Sequence, residues 1–392
     1  MKRKNKWLLL PVILIAALML AACGVQKPAA QNADASDGGQ EALPVKEPVQ
    51  TVPKVKAFDD LRGGICGEPI RTLEENEYDP AQIKSFTFNA GTIFTGHEAE
   101  AKAIMEAGKN PGLGVRALHD EGITGKGINV AIIDQNLLLD HPEFAGKIAA
   151  YYDTGCDQPE DSGSMHGPAV TSLLVGKNTG VAPGAKVYYA AAPSWTGDSA
   201  YQAEGLRWII QQNAALPEGE KIRVVSVSAA PSGEWTFFTA NQEQWDAAVA
   251  EAQAAGILVL DCRTGSDTCF IWSAFYDPSQ PEEVTAMTCG YPSEPDETGI
   301  DEKIICVPAS YRTVAEEYEK GVCSYQYTGD GGQSWSVPYA AGVLALGWQI
   351  DPSMTAEEAV TLLRESCYQN KNGIHFIDPP AFIDAVRAQL AD

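Results

Sequence analysis

Basic side chains are scarce in this chain: 28 Lys and Arg stand against 52 Asp and Glu, a formal net charge of −24. Four of the 28, Lys2, Arg3, Lys4 and Lys6, fall within the opening segment, so the remainder of the chain is more acidic still. Such a surface repels phosphates, which argues against nucleic acid and anionic membrane surfaces as partners. Histidine is equally scarce, with five scattered residues, and none of the nine cysteines forms a Cys-x-x-Cys pair. A structural zinc of that kind is therefore not expected. No other cofactor is expected, and calcium stays open because nothing in the sequence marks a site for it. Only one long apolar run exists, Trp7 to Leu20, shorter than the roughly 20 residues that span a bilayer and broken by Pro11. Internal repeats are lacking, and a monomer is expected.

What is present begins with that apolar run. Placed after the basic residues and before Ala21-Ala22-Cys23-Gly24, it reads as a signal peptide over residues 1–22. Leu20-Ala21-Ala22-Cys23 resembles the bacterial lipobox, which implies a lipid on Cys23 and a place on the extracytoplasmic side of the cell membrane. Residues 23–57 are rich in Ala, Pro, Gln, Asp and Gly, with few large apolar side chains. Such a segment cannot offset its ordering entropy by burial and is predicted to be a tether. Residues 58–109 are irregular except for an amphipathic stretch from Glu98 to Ala107, and form an N-terminal extension or a vestigial pro-segment. Eight cysteines follow Cys23; in an exported chain they permit disulfides, and buried thiols are the alternative. Cys262 and Cys269 are near enough in sequence to close a small loop.

Residues 110–392 alternate short apolar runs with helical patterns, the signature of βαβ units. Strands are predicted over Ile128–Ile133, Ala185–Ala191, Val224–Ser228 and Ile257–Leu260. Helices are predicted over Ala169–Val175, Ser199–Ala215, Asn241–Ala255, Val337–Gln349, Thr355–Glu365 and Pro380–Leu390. The fold class is α/β, a doubly wound, mostly parallel sheet with helices on both faces. In such a sheet ligands sit beyond the carboxyl ends of the strands, so chemistry is to be sought there.

Three segments meet that criterion. Val130-Ala131-Ile132-Ile133-Asp134 sets a carboxylate at the end of a buried strand, with His141-Pro142-Glu143-Phe144 beyond it. His166-Gly167-Pro168-Ala169-Val170 places a histidine at a helix start and precedes Gly180-Val181-Ala182-Pro183-Gly184. Gly332-Gln333-Ser334-Trp335-Ser336-Val337-Pro338 sets a serine between a glycine turn and a long apolar helix. The order Asp, His, Ser is one of those in which a hydrolytic triad occurs. Together these segments resemble the three motif blocks of the subtilase family of serine peptidases, and the resemblance runs from about residue 110 to the C-terminus.

The resemblance implies a subtilisin-like domain in which Asp134, His166 and Ser334 cleave peptide bonds of a peptide or protein substrate through an acyl-enzyme. His166 takes the Ser334 proton and Asp134 orients the imidazole, while the Ser334 backbone N–H lies at a helix start, where it can meet an oxyanion. An extended substrate would pair with the strand ending Ser228-Ala229-Ala230, with Gly332 close by and the segment Asp261 to Gly265 lining the first specificity pocket. His141 is read as a structural neighbour, Trp335 as packing or pocket wall, and His97, His119 and His375 as surface or packing residues. The chain departs from the family at the neighbours of all three residues: Gln135-Asn136, Pro168, and Gln333 with Trp335. The segment that supplies an oxyanion-hole asparagine in the family has none here. Gly265 stands in its place, between Thr264 and Ser266, whose hydroxyls are the substitutes within reach. Loss of such a donor costs on the order of 100- to 1,000-fold in turnover. Two expectations therefore stand: an active serine endopeptidase, slow or narrow in specificity, and a catalytically weakened or inactive, lipid-anchored pseudopeptidase that binds a peptide or protein. An esterase is disfavoured, since no Gly-x-Ser-x-Gly elbow surrounds Ser334.

Overall fold

Odd and even residues of one strand face different cores. Val130 and Ile132 pack into a large cluster with Val170, Leu174, Val187, Val224 and the apolar helix that follows Ser334, whereas Ala131 and Ile133 pack with Leu206, Ile209, Val225, Val227 and Trp245. A strand buried on both sides is the mark of a parallel sheet covered on both faces. The computed structural model describes residues 55–65, 68–234, 236–263, 271–289 and 303–391, all within one unit spanning Val52–Asp392. The signal peptide, Cys23, Thr264, Gly265 and Ser266 lie outside the described residues.

The central sheet comprises β1 (Asn129–Asp134), β2 (Ile148–Asp153), β3 (Lys186–Ala191), β4 (Ile222–Val227) and β5 (Leu258–Asp261). Its order is β2-β3-β1-β4-β5, and every pairing is parallel. The chain leaves β1 toward one edge and returns on its other side at β4. That makes the carboxyl end of β1 a topological switch point, where an open α/β sheet forms its crevice. Four helices matter to it: α1 (His166–Val175), α2 (Ala200–Ala215), α3 (Gln242–Ala254) and α4 (Gln333–Ile350). The α/β reading holds, with boundaries within one to two residues for most elements. Two differ more: α1 begins three residues before the predicted Ala169 and α4 four before Val337. The residues ahead of the apolar runs, His166-Gly167-Pro168 and Gln333-Ser334-Trp335-Ser336, hold a single large apolar side chain, Trp335, and so escape an apolar-periodicity test.

A second sheet runs in the order Thr288–Cys289, Ile271–Phe275, Ile305–Pro308, His375–Phe376, Tyr368–Gln369. Arg312–Glu316 and Ser324–Thr328 form a hairpin whose free edge is taken by Phe88–Asn89 from the N-terminal segment. That segment packs as an aromatic cluster of Phe86, Phe88 and Phe94 with Leu61, Leu73 and Tyr327. Val55, which the sequence reading assigns to the tether, instead donates its N–H to the Glu77 carbonyl at 3.0 Å and packs on this cluster. The helix at Glu98–Ala107 forms as the pattern predicts. Three of the cysteines, Cys156, Cys323 and Cys367, are free thiols. Burial pushes Cys156 and Cys367 up to about 12, and burial with the Glu317 carboxylate pushes Cys323 to about 11, so all three stay protonated at neutral pH.

Candidate active site

Asp134 is the last residue of β1, at the switch point, opposite Ala191 of β3. Its side chain is 3% exposed, and Oδ1 accepts both the Gln135 N–H at 2.8 Å and His166 Nδ1 at 2.7 Å. With Nδ1 bonded to the carboxylate, the free lone pair of the neutral ring sits on Nε2, the atom a general base uses. Burial opposes protonation of His166, but the Asp134 charge and its hydrogen bond outweigh burial and raise the imidazole above its ordinary value.

His166 opens α1, and the helix reaches Asp134 so closely because the next residue is glycine. A Cβ on Gly167 would lie 2.5 Å from the Gln135 carbonyl oxygen, 2.7 Å from Tyr189 Oη and 2.9 Å from the Asn136 carbonyl oxygen. Two of those three are backbone atoms, which cannot rotate away. Tyr189, from β3, donates its hydroxyl to the Gln135 carbonyl and so fixes the loop after Asp134 from below.

Ser334 follows a turn made by Gly331 and Gly332, both with φ of +67°. Only glycine adopts this without strain, and at Gly331 a Cβ would also fall 1.9 Å from the Ala309 carbonyl oxygen. As the second residue of α4, Ser334 has an N–H with no acceptor four residues back inside the helix. Pro338 sits inside α4, and because it has no N–H, the Ser334 carbonyl loses its helical partner. Ser228, just beyond β4, replaces it by donating Oγ to that carbonyl at 2.8 Å. In return, Ser334 Oγ donates to the Ser228 carbonyl at 3.2 Å. Among the described residues no hydrogen bond joins Ser334 Oγ to His166. The adjoining Trp335 is 5% exposed and meets the His166 ring edge-on, with centroids 5.4 Å apart.

Ser228 is buried, Ala229 and Ala230 are half-buried, and Gly332 is exposed. The Ala229 carbonyl accepts the Cys262 N–H at 2.9 Å, and the Ala230 carbonyl accepts the Thr236 hydroxyl. Beyond β5, Arg263 Nε bonds Asp261 at 2.5 Å and its Nη1 bonds Asp246 of α3 at 3.0 Å, anchoring the start of the segment that leads to Gly265. Burial outweighs the Arg263 attraction and raises the Asp261 carboxyl. His141 lies elsewhere, fully buried, with Nε2 at 3.0 Å from the Ser324 carbonyl. Among the described residues no group of three or more His, Cys, Asp or Glu is placed to hold a metal ion. Sequence reasoning gave no positioning role to Tyr189 of β3 or to Asn136 and Ser164 in the loops beside Asp134 and His166. Only Ser164 carried a signal, a serine just ahead of a helix.

Residues 125–297 match the model of the Subtilase family, Peptidase_S8. Subtilisin E of Bacillus subtilis (strain 168) is 28% identical over 148 residues, 36% of this chain and 37% of that protein. Serine protease AprX of the same organism is 24% identical over 308 residues, covering 68% of this chain and 67% of that one. The chain thus spans about 37% of the length of the subtilisin it matches. Among solved structures, one described as the structural basis of subtilase cytotoxin SubAB assembly superposes with a TM-score of 0.55 at 16% identity, over 71% of this chain and 96% of that one. At that identity the likeness concerns the fold alone. Residues 125–297 are thus similar to the Subtilase family, and the five parallel strands between two helical layers form a subtilisin-like α/β fold.

Proposed function

We propose that the chain is a serine endopeptidase that hydrolyses peptide bonds with Asp134, His166 and Ser334, held outside the cell membrane by a lipid on Cys23. The observation that carries this reading is the 2.7 Å bond from His166 Nδ1 to a buried carboxylate at the switch point, beside a serine in the first turn of a helix. The relatives named as serine protease and subtilisin point the same way.

In the proposed cycle the Ser334 hydroxyl turns from the Ser228 carbonyl toward His166. Nε2 takes its proton as Oγ attacks the substrate carbonyl carbon, and the charge that develops on the carbonyl oxygen faces the Ser334 N–H. Collapse breaks the C–N bond, and the imidazolium gives its proton to the departing amine. A water then attacks the Oγ ester with His166 again as base, releasing the acid and restoring the serine. Asp134 stays ionised throughout and stabilises the imidazolium. Thr264 or Ser266 supplies the second oxyanion donor, and Ser228, Ala229 and Ala230 pair with the substrate main chain in the manner of an added strand.

A second reading, a peptide-binding pseudopeptidase, draws on the resting contact of Ser334 Oγ with Ser228 instead of His166. A fluorophosphonate probe separates the two. Labelling of the wild type and not of Ser334→Ala supports the peptidase; an unlabelled wild type removes it. The membrane assignment rests on the lipobox-like segment; among the described residues no helix is long and apolar enough to cross a membrane.

A further inference from the structure

Ser164 lies two residues before His166 and bonds to the chain just beyond each member of the Asp134–His166 pair. Its Oγ donates to the Asn136 carbonyl at 2.6 Å, two residues past Asp134, and accepts the Gly167 N–H at 3.0 Å, one residue past His166. Its N–H also reaches the Asn136 carbonyl, at 3.1 Å, and Asn136 Nδ2 returns a bond to the Ser162 carbonyl at 2.8 Å. Asn136 is 6% exposed. One hydroxyl therefore joins the loop that leaves β1 to a donor in the first turn of α1 that has no acceptor within the helix.

We propose that Ser164 is a positioning residue that sets the separation of Asp134 and His166, an inference that deepens the peptidase reading and rests on it. The physical argument is one of register. Asp134 and His166 sit on separate elements, a strand end and a helix start, and their 2.7 Å bond holds only if those elements keep their spacing. Gly167 lets the helix approach, and Tyr189 supports the Gln135 carbonyl and meets Thr171 in the second turn of α1, but neither side chain bonds the first turn of α1 to the loop. Ser164 does, through an oxygen that is donor to one side and acceptor from the other. Threonine can replace both bonds; alanine can replace neither.

Among the described residues only Asp134 acts as a charged neighbour on His166, and the Trp335 ring packs against its edge, so the imidazole titration reports the Asp134 contact directly. The test uses the full chain purified in detergent, with nitrogen-labelled histidine, as wild type, Ser164→Ala and Ser164→Thr. In Ser164→Ala, NMR titration is expected to show the His166 pKa falling toward that of an ordinary histidine, and kcat is expected to fall about 10- to 100-fold with KM little changed. Ser164→Thr should restore both. An alanine variant that titrates and turns over as wild type would overturn the proposal, as would a threonine variant no better than alanine. Should Ser164→Ala unfold, Ser164→Val against Ser164→Thr makes the same comparison at nearly equal volume. A wild type without hydrolysis would remove the peptidase reading, while the imidazole titration still decides the role of Ser164.

Discussion

Ser228 and Ser334 hold each other at two points: Ser228 Oγ donates to the Ser334 carbonyl at 2.8 Å, and Ser334 Oγ donates to the Ser228 carbonyl at 3.2 Å. The first bond exists because Pro338 gives the Ser334 carbonyl no helical donor. It ties the start of α4 to the end of β4, so the serine that would attack and the strand that would hold the substrate move together. Ser228→Ala should cost about 1–2 kcal/mol of stability, since a carbonyl loses its partner, and should lower kcat more than it raises KM. Urea denaturation and steady-state kinetics check the two effects; unchanged values would mean that the pairing has no energetic role.

Gly167→Ala tests how tightly α1 must approach β1. The new methyl would meet two backbone oxygens and Tyr189 Oη inside 3 Å, so the helix must retreat. Overpacking of this kind costs about 1–3 kcal/mol, and the retreat should stretch the Asp134–His166 bond and cut kcat at least about tenfold. Thermal unfolding followed by circular dichroism, alongside kinetics, reads both.

His166 titrates above the ordinary histidine value because the Asp134 attraction and hydrogen bond overcome burial. Only the neutral imidazole serves as base, so kcat/KM should rise with pH through a midpoint above about 6.5, and Asp134→Asn should move that midpoint down. For stability the sign is reversed. A raised folded-state pKa contributes stability that is full below about pH 6.5 and is lost as pH rises through the folded value. Urea midpoints across that window should fall with rising pH, and less so in Asp134→Asn.

The oxyanion donor proposed from residues 264–266 is tested by substitution. If one hydroxyl serves, Thr264→Ala or Ser266→Ala should lower kcat with little change in KM, because the bond forms chiefly in the transition state. Gly265→Asn should raise kcat if a carboxamide at that place reaches the oxyanion. Ordinary turnover that survives both alanine substitutions would place the second donor elsewhere.

Cys23→Ser should release the protein from the membrane fraction into the medium. Retention of the variant at wild-type levels would mean a different anchor.

What the sequence by itself determined is local. The alternation of apolar runs with helical periods marked the strands and helices of the sheet. The end of an apolar strand located Asp134, a His-Gly pair located His166, and a glycine turn before an apolar helix located Ser334. These are properties of neighbouring residues, so they can be read along the chain. Tertiary structure decided what depends on residues far apart. Ser228 and Ser334 are separated by 106 positions; Pro338 signals that the Ser334 carbonyl lacks a helical donor, but nothing in either segment names Ser228 as the replacement. Phe88–Asn89 reads as irregular because a two-residue strand has no measurable period, yet it completes the edge of the hairpin that packs on α1. The bridge from Asn136 through Ser164 to Gly167 arises only when β1 and α1 are brought side by side. Such contacts are fixed by loop geometry and close packing in three dimensions, and a one-dimensional pattern of apolar and polar residues carries no record of them.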